Sequence, residues 1–321
     1  MTYVDEWAAK HMWVPRDSSL EPGPYRVKKT PYAQGPMRCL SLTHPCKRVV
    51  VMAASQLMKT QLAINWIGSL VHTSPSNILV LLPTRHLAAR LGNRINKSFK
   101  ASPVLHRCFL PGYDPGLRSF EGGSLRLVGA GSLAYQSFPV DYVCGEQIDH
   151  WPEEGIDLIE LAERCHDTSV RAPKFYFTGT PTIKGASKID SLFSASDQRH
   201  YYVPCPHCGH MQTLEWEQLE YSSDFQTVHY RCINASCSSP IAELHLGEMI
   251  SLGEWRSHLE GDGETSGFHL NALYSPPGWL GWTHLAKQYE WARAEQINGD
   301  ASLMRMFYNI RLAKVWDDVG D

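Results

Sequence analysis

Residues 48–60 read RVVVMAASQLMKT, an apolar run followed by a short turn that ends in Lys59 and Thr60. The run has no polar alternation, which is typical of a strand buried on both faces of a parallel sheet. Apolar residues then recur with helical spacing, which predicts a helix over 60–72. A strand, a tight turn and a helix in this order predict a loop that binds phosphate through backbone N–H groups and the helix N-terminus.

The candidate phosphate loop consists of Ser55, Gln56, Met58, Lys59 and Thr60. In such a loop the lysine neutralises the β- and γ-phosphates, and the hydroxyl residue after it holds Mg²⁺. The usual glycines are missing, with Ser55 and Met58 among the residues in their places. The alternative interpretation is an ordinary solvated lysine at the start of a helix.

Two later strand ends also carry polar residues suited to a nucleotide site. Glu146 and Gln147 follow an apolar strand predicted at 141–145, where an acidic residue that helps to hold Mg²⁺ belongs. A strand predicted at 174–178 runs into a tight turn whose hydroxyl groups could sense the γ-phosphate and couple its loss to movement. These hydroxyl residues are Thr178, Thr180 and Thr182. The alternative is a strand that simply ends in a solvated glutamate.

Alternating strand and helix patterns predict an α/β fold with a mostly parallel central sheet flanked by helices. The other predicted strands are 48–53, 77–83 and 124–129, and the other predicted helices are 86–99, 158–167 and 283–298, the last with Thr283 as N-cap. We predict an irregular N-terminal arm over 1–45, a nucleotide-binding core over 46–199, a small antiparallel module over 200–246, and a segment rich in Trp and Tyr over 247–321.

Four of the nine cysteines form two short-spaced pairs in the small module. They are Cys205, Cys208, Cys232 and Cys237. Four thiolates presented by two turns complete a closed tetrahedral shell, which predicts a structural zinc ribbon. Free thiols or a redox pair are the alternative.

The composition limits the possible partners. A formal net charge of −3 argues against one broad basic surface for nucleic acid, so we expect any DNA contact to be local. Arg90, Arg94 and Lys97, with Lys100 nearby, share one face of the helix over 86–99 and could meet DNA phosphates; a solvated helix face is the alternative. No apolar run is long enough to cross a bilayer, and the N-terminus lacks a signal-peptide pattern, which predicts a cytosolic protein.

Taken in order, these pieces resemble the gpA-type large terminase family of tailed phages. The stretches that carry the resemblance are 30–32 (TPY), 50–60, 82–84 (LPT), 129–132 (GAGS), 142–149 with Pro152, 180–185, 197–199 (DQR), the CPHCG turn and 267–269 (GFH). The resemblance implies a P-loop-type ATPase that uses Mg-ATP to pump double-stranded DNA into a procapsid. It also implies a small terminase subunit and a portal as partners, a ring of copies, and location in the host cytoplasm.

Two departures from the family pattern bear on activity. The family usually shows Asp-Glu at the positions of Glu146 and Gln147, and a glutamine can orient a water but cannot accept its proton. Either Gln147 traps the ATP-bound state, with slow or no hydrolysis, or hydrolysis proceeds differently, with Asp149 assisting. The chain also ends at Asp321 without an evident acidic nuclease cluster, so we expect a chain cut off before its nuclease domain.

Several residues have weaker assignments. An arginine from a neighbouring subunit often completes the ATP site of ring motors. The candidates for that role are Arg85, Arg164 and Arg171, with surface ion pairs as the alternative. Trp279, Trp282 and Trp291 could stack on bases but are expected to be core or interface residues.

Two other functions remain open from the sequence. One is a helicase-like ATPase that remodels nucleic acid, which would separate the strands of a duplex. The other is a zinc-ribbon assembly or DNA-binding module with a degenerate nucleotide site, which Met58 and Gln147 would support. Tight nucleotide binding that is lost in Lys59→Ala would contradict the second.

Overall fold

A ten-stranded, mostly parallel sheet forms the centre of the computed structural model. The structure describes residues 2–16, 22–111, 116–131, 139–153, 155 and 157–318. Ser132 of the GAGS stretch and the terminal Asp321 lie outside the described residues. The predicted fold class, a mostly parallel sheet with flanking helices, is confirmed.

The secondary-structure elements alternate through the first two thirds of the chain. The strands are β1 (Trp13–Val14), β2 (Gly23–Pro24), β3 (Arg48–Ala53), β4 (Asn77–Leu82), β5 (Leu117–Phe120), β6 (Gly123–Gly129), β7 (Tyr142–Glu146), β8 (Lys174–Gly179), β9 (Arg199–Pro204), β10 (Met211–Gln212), β11 (Leu219–Tyr221), β12 (Val228–Arg231), β13 (Pro240–Ala242), β14 (Glu254–Ser257) and β15 (Thr265–Leu270). The helices are α1 (Val4–His11), α2 (Gln34–Cys39), α3 (Lys59–Thr73), α4 (Arg85–Ala101), α5 (Leu158–Arg164), α6 (Lys188–Ser194), α7 (Leu246–Ser251), α8 (Trp282–Ile297) and α9 (Ser302–Phe307), and a π-helix follows at Tyr308–Leu312.

The order of the central strands brings the predicted functional strand ends together. Along the sheet the strands lie in the order β10-β9-β15-β3-β8-β7-β4-β6-β5, and β14 pairs with β9 outside this path. The strands from β9 to β6 are parallel to their neighbours, while β10, β14 and β5 are antiparallel at the edges. Because β8 lies between β3 and β7, the turns that follow these three strands meet at one edge of the sheet.

Apolar side chains on both faces of the sheet explain why its central strands read as continuous apolar runs. Val49 and Val51 pack into the core on the face that carries α3 and α4. Val50 and Met52 point to the opposite face, toward residues of α5 and α6. Burial on both faces removes the need for polar alternation.

The sheet extends beyond the 46–199 range that the sequence predicts for the core. β15 pairs parallel with β3 along its whole length, from Thr265 opposite Arg48 to Leu270 opposite Ala53. Its sequence, TSGFHL, contains little of the apolar signal that marked the other strands, although every residue in it is buried. The small cysteine module is continuous with the sheet because β9 and β10 belong to both.

Two local expectations were wrong. The arm over 1–45 is not irregular throughout, since α1 and α2 form within it and Trp7 of α1 donates to His72 of α3 at 2.9 Å. Helix α8 has Gly281, not Thr283, as N-cap, because the Glu243 carboxylate accepts the Trp282 N–H at 3.1 Å and supports an earlier start. Within the described residues no helix is both long and apolar enough to cross a membrane.

Candidate nucleotide site and four-cysteine cluster

The predicted phosphate loop connects β3 directly to α3. The Lys59 ammonium folds back on this loop and donates to the carbonyls of Ala53 and, at 2.7 Å, Ala54. Burial lowers the pKa of Lys59 to about 7, and the nearby Glu146 opposes that shift. Helix α3 has no side-chain cap at Met58, so its first N–H groups are open to an anionic ligand.

Gln56 shows how the loop forms without its usual glycines. Its backbone has φ of 66°, the left-handed region that glycine occupies at lowest cost. The sharp turn is therefore still made, with a glutamine in a strained position. The adjacent Ser55 N–H donates to the Ile310 carbonyl of the π-helix at 3.0 Å, which ties the loop to the C-terminal segment.

Glu146 ends β7 beside the start of α3. Its Oε2 accepts a 3.1 Å hydrogen bond from the Thr60 hydroxyl, while Oε1 is buried and has no partner among the described residues. Burial raises the pKa of Glu146, and the Thr60 hydrogen bond, Arg94 and Lys59 act in the opposite direction. A buried carboxylate with a free oxygen next to a hydroxyl group is a donor set suited to Mg²⁺.

Gln147 lies at the mouth of the same site. Its φ of 53° is left-handed, so the chain turns sharply straight after β7, and its side chain is exposed. Strained residues of this kind cluster at ligand sites. Gln147, Lys59 and Thr60 all line one cleft of about 760 Å³, a size that suits a nucleotide.

We call the part of the cleft lined by the phosphate loop, α3 and α4 its polar end, and the part lined by apolar residues of the arm and of the segment after β15 its apolar end. The polar end is formed by Ser55, Gln56, Met58, Lys59, Thr60, Gln61, Arg94 and Gln147. The apolar residues are Val14, Pro24, Tyr25, Trp279 and Leu280, and the arm also contributes Arg26, Lys29 and Thr30 to the cleft. Of the three tryptophans considered as stacking residues, Trp279 lines the cleft, Trp282 is fully buried and Trp291 is 62% exposed.

Asp149 and the threonines after β8 lie behind the cleft and do not line it. Asp149 accepts the Thr182 hydroxyl at 2.8 Å and the Ile189 N–H at 2.7 Å, so both of its oxygens are occupied. The Thr178 hydroxyl donates to the Val51 carbonyl at 2.8 Å, which joins β8 to β3. Thr180 lies half-buried in the turn between these two contacts. The set links the turn after β8 to the segment after β7.

The basic residues of α4 do not all lie on one face, contrary to the sequence prediction. Arg94 does not share an exposed face with Arg90 and Lys97, because it lies on the side of α4 that faces α3 and enters the cleft. The spacing on α4 is correct, but periodicity alone could not show which side of the helix α3 covers. Arg90 and Lys97 are exposed, as the sequence predicted for a face open to solvent or DNA.

The three arginines considered for a role in a neighbouring subunit also differ in their contacts. Arg171 donates to the Ser74 hydroxyl at 2.8 Å and the Pro75 carbonyl at 2.9 Å, and therefore has a structural place. Arg164 pairs with Glu160 on its own helix at 2.5 Å. Arg85 is exposed at the start of α4.

The four predicted cysteines converge at the edge of the sheet. Their sulfur atoms all lie within 4.8 Å of one another, and Cys208 Sγ is 3.8 Å from Cys232 Sγ. Cys205 follows β9 and Cys232 follows β12, so each strand delivers one thiol into a turn. Gly209, with φ of 72°, makes the first of these turns possible. The His207 ring contacts the Pro240 carbonyl at 3.1 Å.

Comparisons with known proteins agree with this arrangement. The family model described as phage terminase large subunit gpA, ATPase domain, matches residues 19–255. A terminase large subunit of Enterobacteria phage P21 is 24% identical over 98% of this chain and 52% of its own length. That of Escherichia phage lambda is 22% identical over 97% of this chain and 52% of its own length. The chain thus spans about half the length of these relatives.

A solved structure supports the fold. The crystal structure of the HK97 bacteriophage large terminase aligns with a TM-score of 0.62 and 11% identity, over 98% of this chain and 55% of the other. At this identity the likeness concerns the fold alone.

The expectation that the chain contains no nuclease-domain sequence was wrong. The model described as terminase large subunit gpA, endonuclease domain, matches residues 265–321. That match begins at β15, which lies in the central sheet beside β3, so no break in the fold marks the boundary. In the described part of the chain, the four cysteines are the one cluster of potential metal ligands, and no acidic cluster signals the nuclease. With a family match over most of its length, the chain belongs to the gpA-type family of phage terminase large subunits.

Proposed function

We propose that this chain binds Mg-ATP in the cleft and acts as the ATPase part of a DNA-packaging motor. The observation that carries the proposal is the meeting of Lys59, Thr60 and Gln147 in one cleft, with Glu146 hydrogen-bonded to Thr60, at the ends of neighbouring parallel strands. Family membership supports the same interpretation. No feature of the cleft favours a helicase-like role, and the presence of Lys59, Thr60 and Glu146 beside Met58 and Gln147 weighs against a degenerate site.

The two ends of the cleft suggest how the nucleotide lies. The phosphates would occupy the polar end, where Lys59 and the first turn of α3 supply positive charge and N–H groups. The base would occupy the apolar end, against Trp279 and Leu280 on one side and Pro24 of the arm on the other. On binding, Lys59 would exchange its loop carbonyl contacts for phosphate oxygens.

Each residue near the phosphates has a distinct task. Thr60 and Glu146 would hold Mg²⁺, which would neutralise charge on the β- and γ-phosphates. The Gln147 side chain, which lines the cleft, would orient a water but offers no basic group to accept its proton. Asp149 would position the turn after β8, since Thr182 and Ile189 already occupy its carboxylate. Hydrolysis by this chain would therefore be slow.

The turn after β8 would transmit the state of the nucleotide. Thr178 is tied to the strand before the phosphate loop, and Thr182 is tied both to Asp149 and, through its carbonyl, to the Trp316 N–H at 2.8 Å. We assign coupling to Thr178, Thr180 and Thr182 on this basis. The Ser55 contact with Ile310 gives the same C-terminal segment a second link to the site.

The motor would act on double-stranded DNA with a small terminase subunit, a portal and procapsid, in a ring of copies in the host cytoplasm. Arg85 is the exposed candidate for completing a neighbour's site. Arg90 and Lys97 are exposed for local contact with DNA phosphates. The four cysteines would hold a structural zinc ion, since Zn–S bonds of about 2.3 Å in a tetrahedron separate the sulfurs by about 3.8 Å, the distance between Cys208 and Cys232.

Phosphate release from ATP by this chain and by Gln147→Glu, with and without double-stranded DNA, tests the proposal. We expect this chain to bind ATP and turn it over slowly, and the variant to hydrolyse it faster. Lys59→Ala should abolish binding in both backgrounds. If the wild-type chain and the Gln147→Glu variant both fail to bind ATP, the nucleotide site is wrongly assigned.

A further inference from the structure

Arg94 is half-buried in the phosphate end of the cleft and forms no ion pair with a described residue. Its Nη2 donates to the Gln61 side-chain oxygen at 3.3 Å, a long contact with a neutral acceptor. Its Nε is buried and has no hydrogen-bond partner among the described residues. Burial lowers the pKa of Arg94, and Glu146 is the one charged group that opposes this shift. A guanidinium in this state is costly to keep in the folded protein.

Two other half-buried arginines are paired with carboxylates: Arg48 reaches Glu163 at 2.6 Å, and Arg199 reaches Asp197 at 2.7 Å. Arg94 has an amide oxygen where these residues have an acidic group, and in this it resembles Arg311, which donates to the Gln288 side-chain oxygen at 2.9 Å. What distinguishes Arg94 is its place in the cleft beside Lys59 and Thr60, where an anionic ligand could pair with it.

The charge balance of the cleft agrees with this. Four cationic residues, Arg26, Lys29, Lys59 and Arg94, line the cleft, and the buried carboxylate of Glu146, bonded to Thr60, lies near the last two. A triphosphate with its magnesium ion would supply the missing negative charge. Lys59 and the start of α3 would approach the phosphates from the loop, and Arg94 would approach them from α4.

We infer that Arg94 is a second phosphate-binding cation, supplied from within the same subunit, and that it contacts the γ-phosphate of bound ATP. This inference rests on the proposed function. The γ-phosphate is favoured because Thr60 and Glu146 mark the magnesium position between the β- and γ-phosphates, and Arg94 lies near enough to Glu146 to interact with its charge. Such a contact would distinguish ATP from ADP, because only ATP carries the γ-phosphate that would accept hydrogen bonds from the guanidinium.

Equilibrium binding of a non-hydrolysable ATP analogue and of ADP tests this, with Mg²⁺ present. We compare Arg94→Gln, Arg94→Lys and a matched control, Arg107→Gln, at an exposed arginine that follows α4 and does not line the cleft. Loss of a charge-assisted contact should weaken the ATP analogue by about 10- to 100-fold and ADP by less than about threefold. Arg94→Lys should recover part of the loss, and Arg107→Gln should change neither constant.

A thermal melt separates ligand binding from a structural role. Because Arg94 forms no ion pair with any residue that the structure describes, Arg94→Gln should leave the melting temperature unchanged or raise it. Equal loss of ATP analogue and ADP, or no loss of either, would overturn the γ-phosphate assignment. So would a lowered melting temperature with unchanged affinities. If wild-type protein binds neither nucleotide, the proposed function itself fails, which is a different result from a failure confined to the Arg94 variants.

Discussion

The Thr60 hydroxyl donates a 3.1 Å hydrogen bond to Glu146 Oε2 and joins the first turn of α3 to the end of β7. This contact closes the phosphate end of the cleft from behind. Among the described residues, Thr60 is the one hydrogen-bond donor to this carboxylate, and Glu146 is only 5% exposed. The two residues are therefore prepared as a pair for a divalent cation.

Thr60→Val tests that pair. Removing the hydroxyl leaves Glu146 buried without its donor, which costs about 1–3 kcal/mol, and removes one magnesium ligand. We expect a magnesium titration at fixed ATP analogue to show at least a tenfold loss of apparent magnesium affinity. Thr60→Ser keeps the hydroxyl and should retain most of the magnesium affinity. Equal magnesium dependence in wild type and Thr60→Val would contradict the assignment.

The lowered pKa of Lys59 predicts that the protein takes up a proton when it binds nucleotide. Burial lowers its pKa to about 7, and phosphate contacts would raise it, so above pH 7 the empty site must gain a proton to bind. Affinity for the ATP analogue should fall as pH rises from about 7 to 9, while below 7 this effect is absent. Calorimetry in two buffers with different ionisation enthalpies should show net uptake at pH 8 that disappears at pH 6. Absence of uptake at pH 8 would contradict a neutral Lys59.

Lys59 also makes the free energy of unfolding depend on pH, in a direction that its lowered pKa determines. The unfolded chain holds the Lys59 proton up to a pKa of about 10.5, whereas the folded chain releases it near 7. The unfolded state therefore binds more protons between these values, so this group makes the free energy of unfolding rise with pH across that window. Lys59→Met should flatten this rise in urea titrations. A pH dependence identical to that of wild type would count against the lowered pKa.

The sequence predicted the parts of the site that follow apolar strands, and did so for a physical reason. β3, β7 and β8 are buried on both faces, so their apolar runs are uninterrupted and their polar ends are easy to locate. Glu146 and Thr60 were found in this way. β15 was missed because Thr265, Ser266 and His269 break its apolar pattern, although the sheet buries all of them.

Arg94 shows the limit of periodicity. The helical spacing of α4 is clear, but which side meets α3 depends on the packing of two helices that are distant in sequence. The apolar lining of the cleft could not be predicted for the same reason, since Val14 and Trp279 are far apart in the sequence. Only the folded sheet, with β15 beside β3, brings the segment of Trp279 next to the phosphate loop.

If the four-cysteine cluster holds zinc, the folding of the adjoining edge of the sheet should depend on the metal. Cys205→Ser and Cys232→Ser should lose zinc and unfold the small module, because the ligation energy there is folding energy. The effect should reach the central sheet, since β9 and β10 carry the first cysteine pair and β9 adjoins β15. We expect zinc content to fall from one ion per chain to none, with a lowered melting temperature. Cys165→Ser, outside the cluster, serves as control, and unchanged zinc in the cluster variants would refute the site.

Replacing Trp279 should change nucleotide affinity in a different way from replacing Arg94, which is expected to affect the ATP analogue more than ADP. It lines the apolar end of the cleft, and its indole N–H is buried without a partner among the described residues. If the base stacks there, Trp279→Ala should weaken ATP analogue and ADP equally, because both carry the same base. Aromatic stacking on a base contributes about 1–3 kcal/mol, which corresponds to a loss of about 5- to 150-fold. Trp279→Phe should keep most of the stacking while losing the N–H.

Trp291→Ala is the matched control for this prediction, since Trp291 is 62% exposed on α8 and lies outside the cleft. Comparing adenine with guanine nucleotides adds a second readout. If the indole N–H donates to an acceptor on the adenine ring, Trp279→Phe should reduce the preference for one base over the other while Trp291→Ala leaves it unchanged. A Trp279→Ala chain that binds both nucleotides as tightly as wild type would show that the base lies elsewhere, and would leave the phosphate end of the cleft to carry the binding.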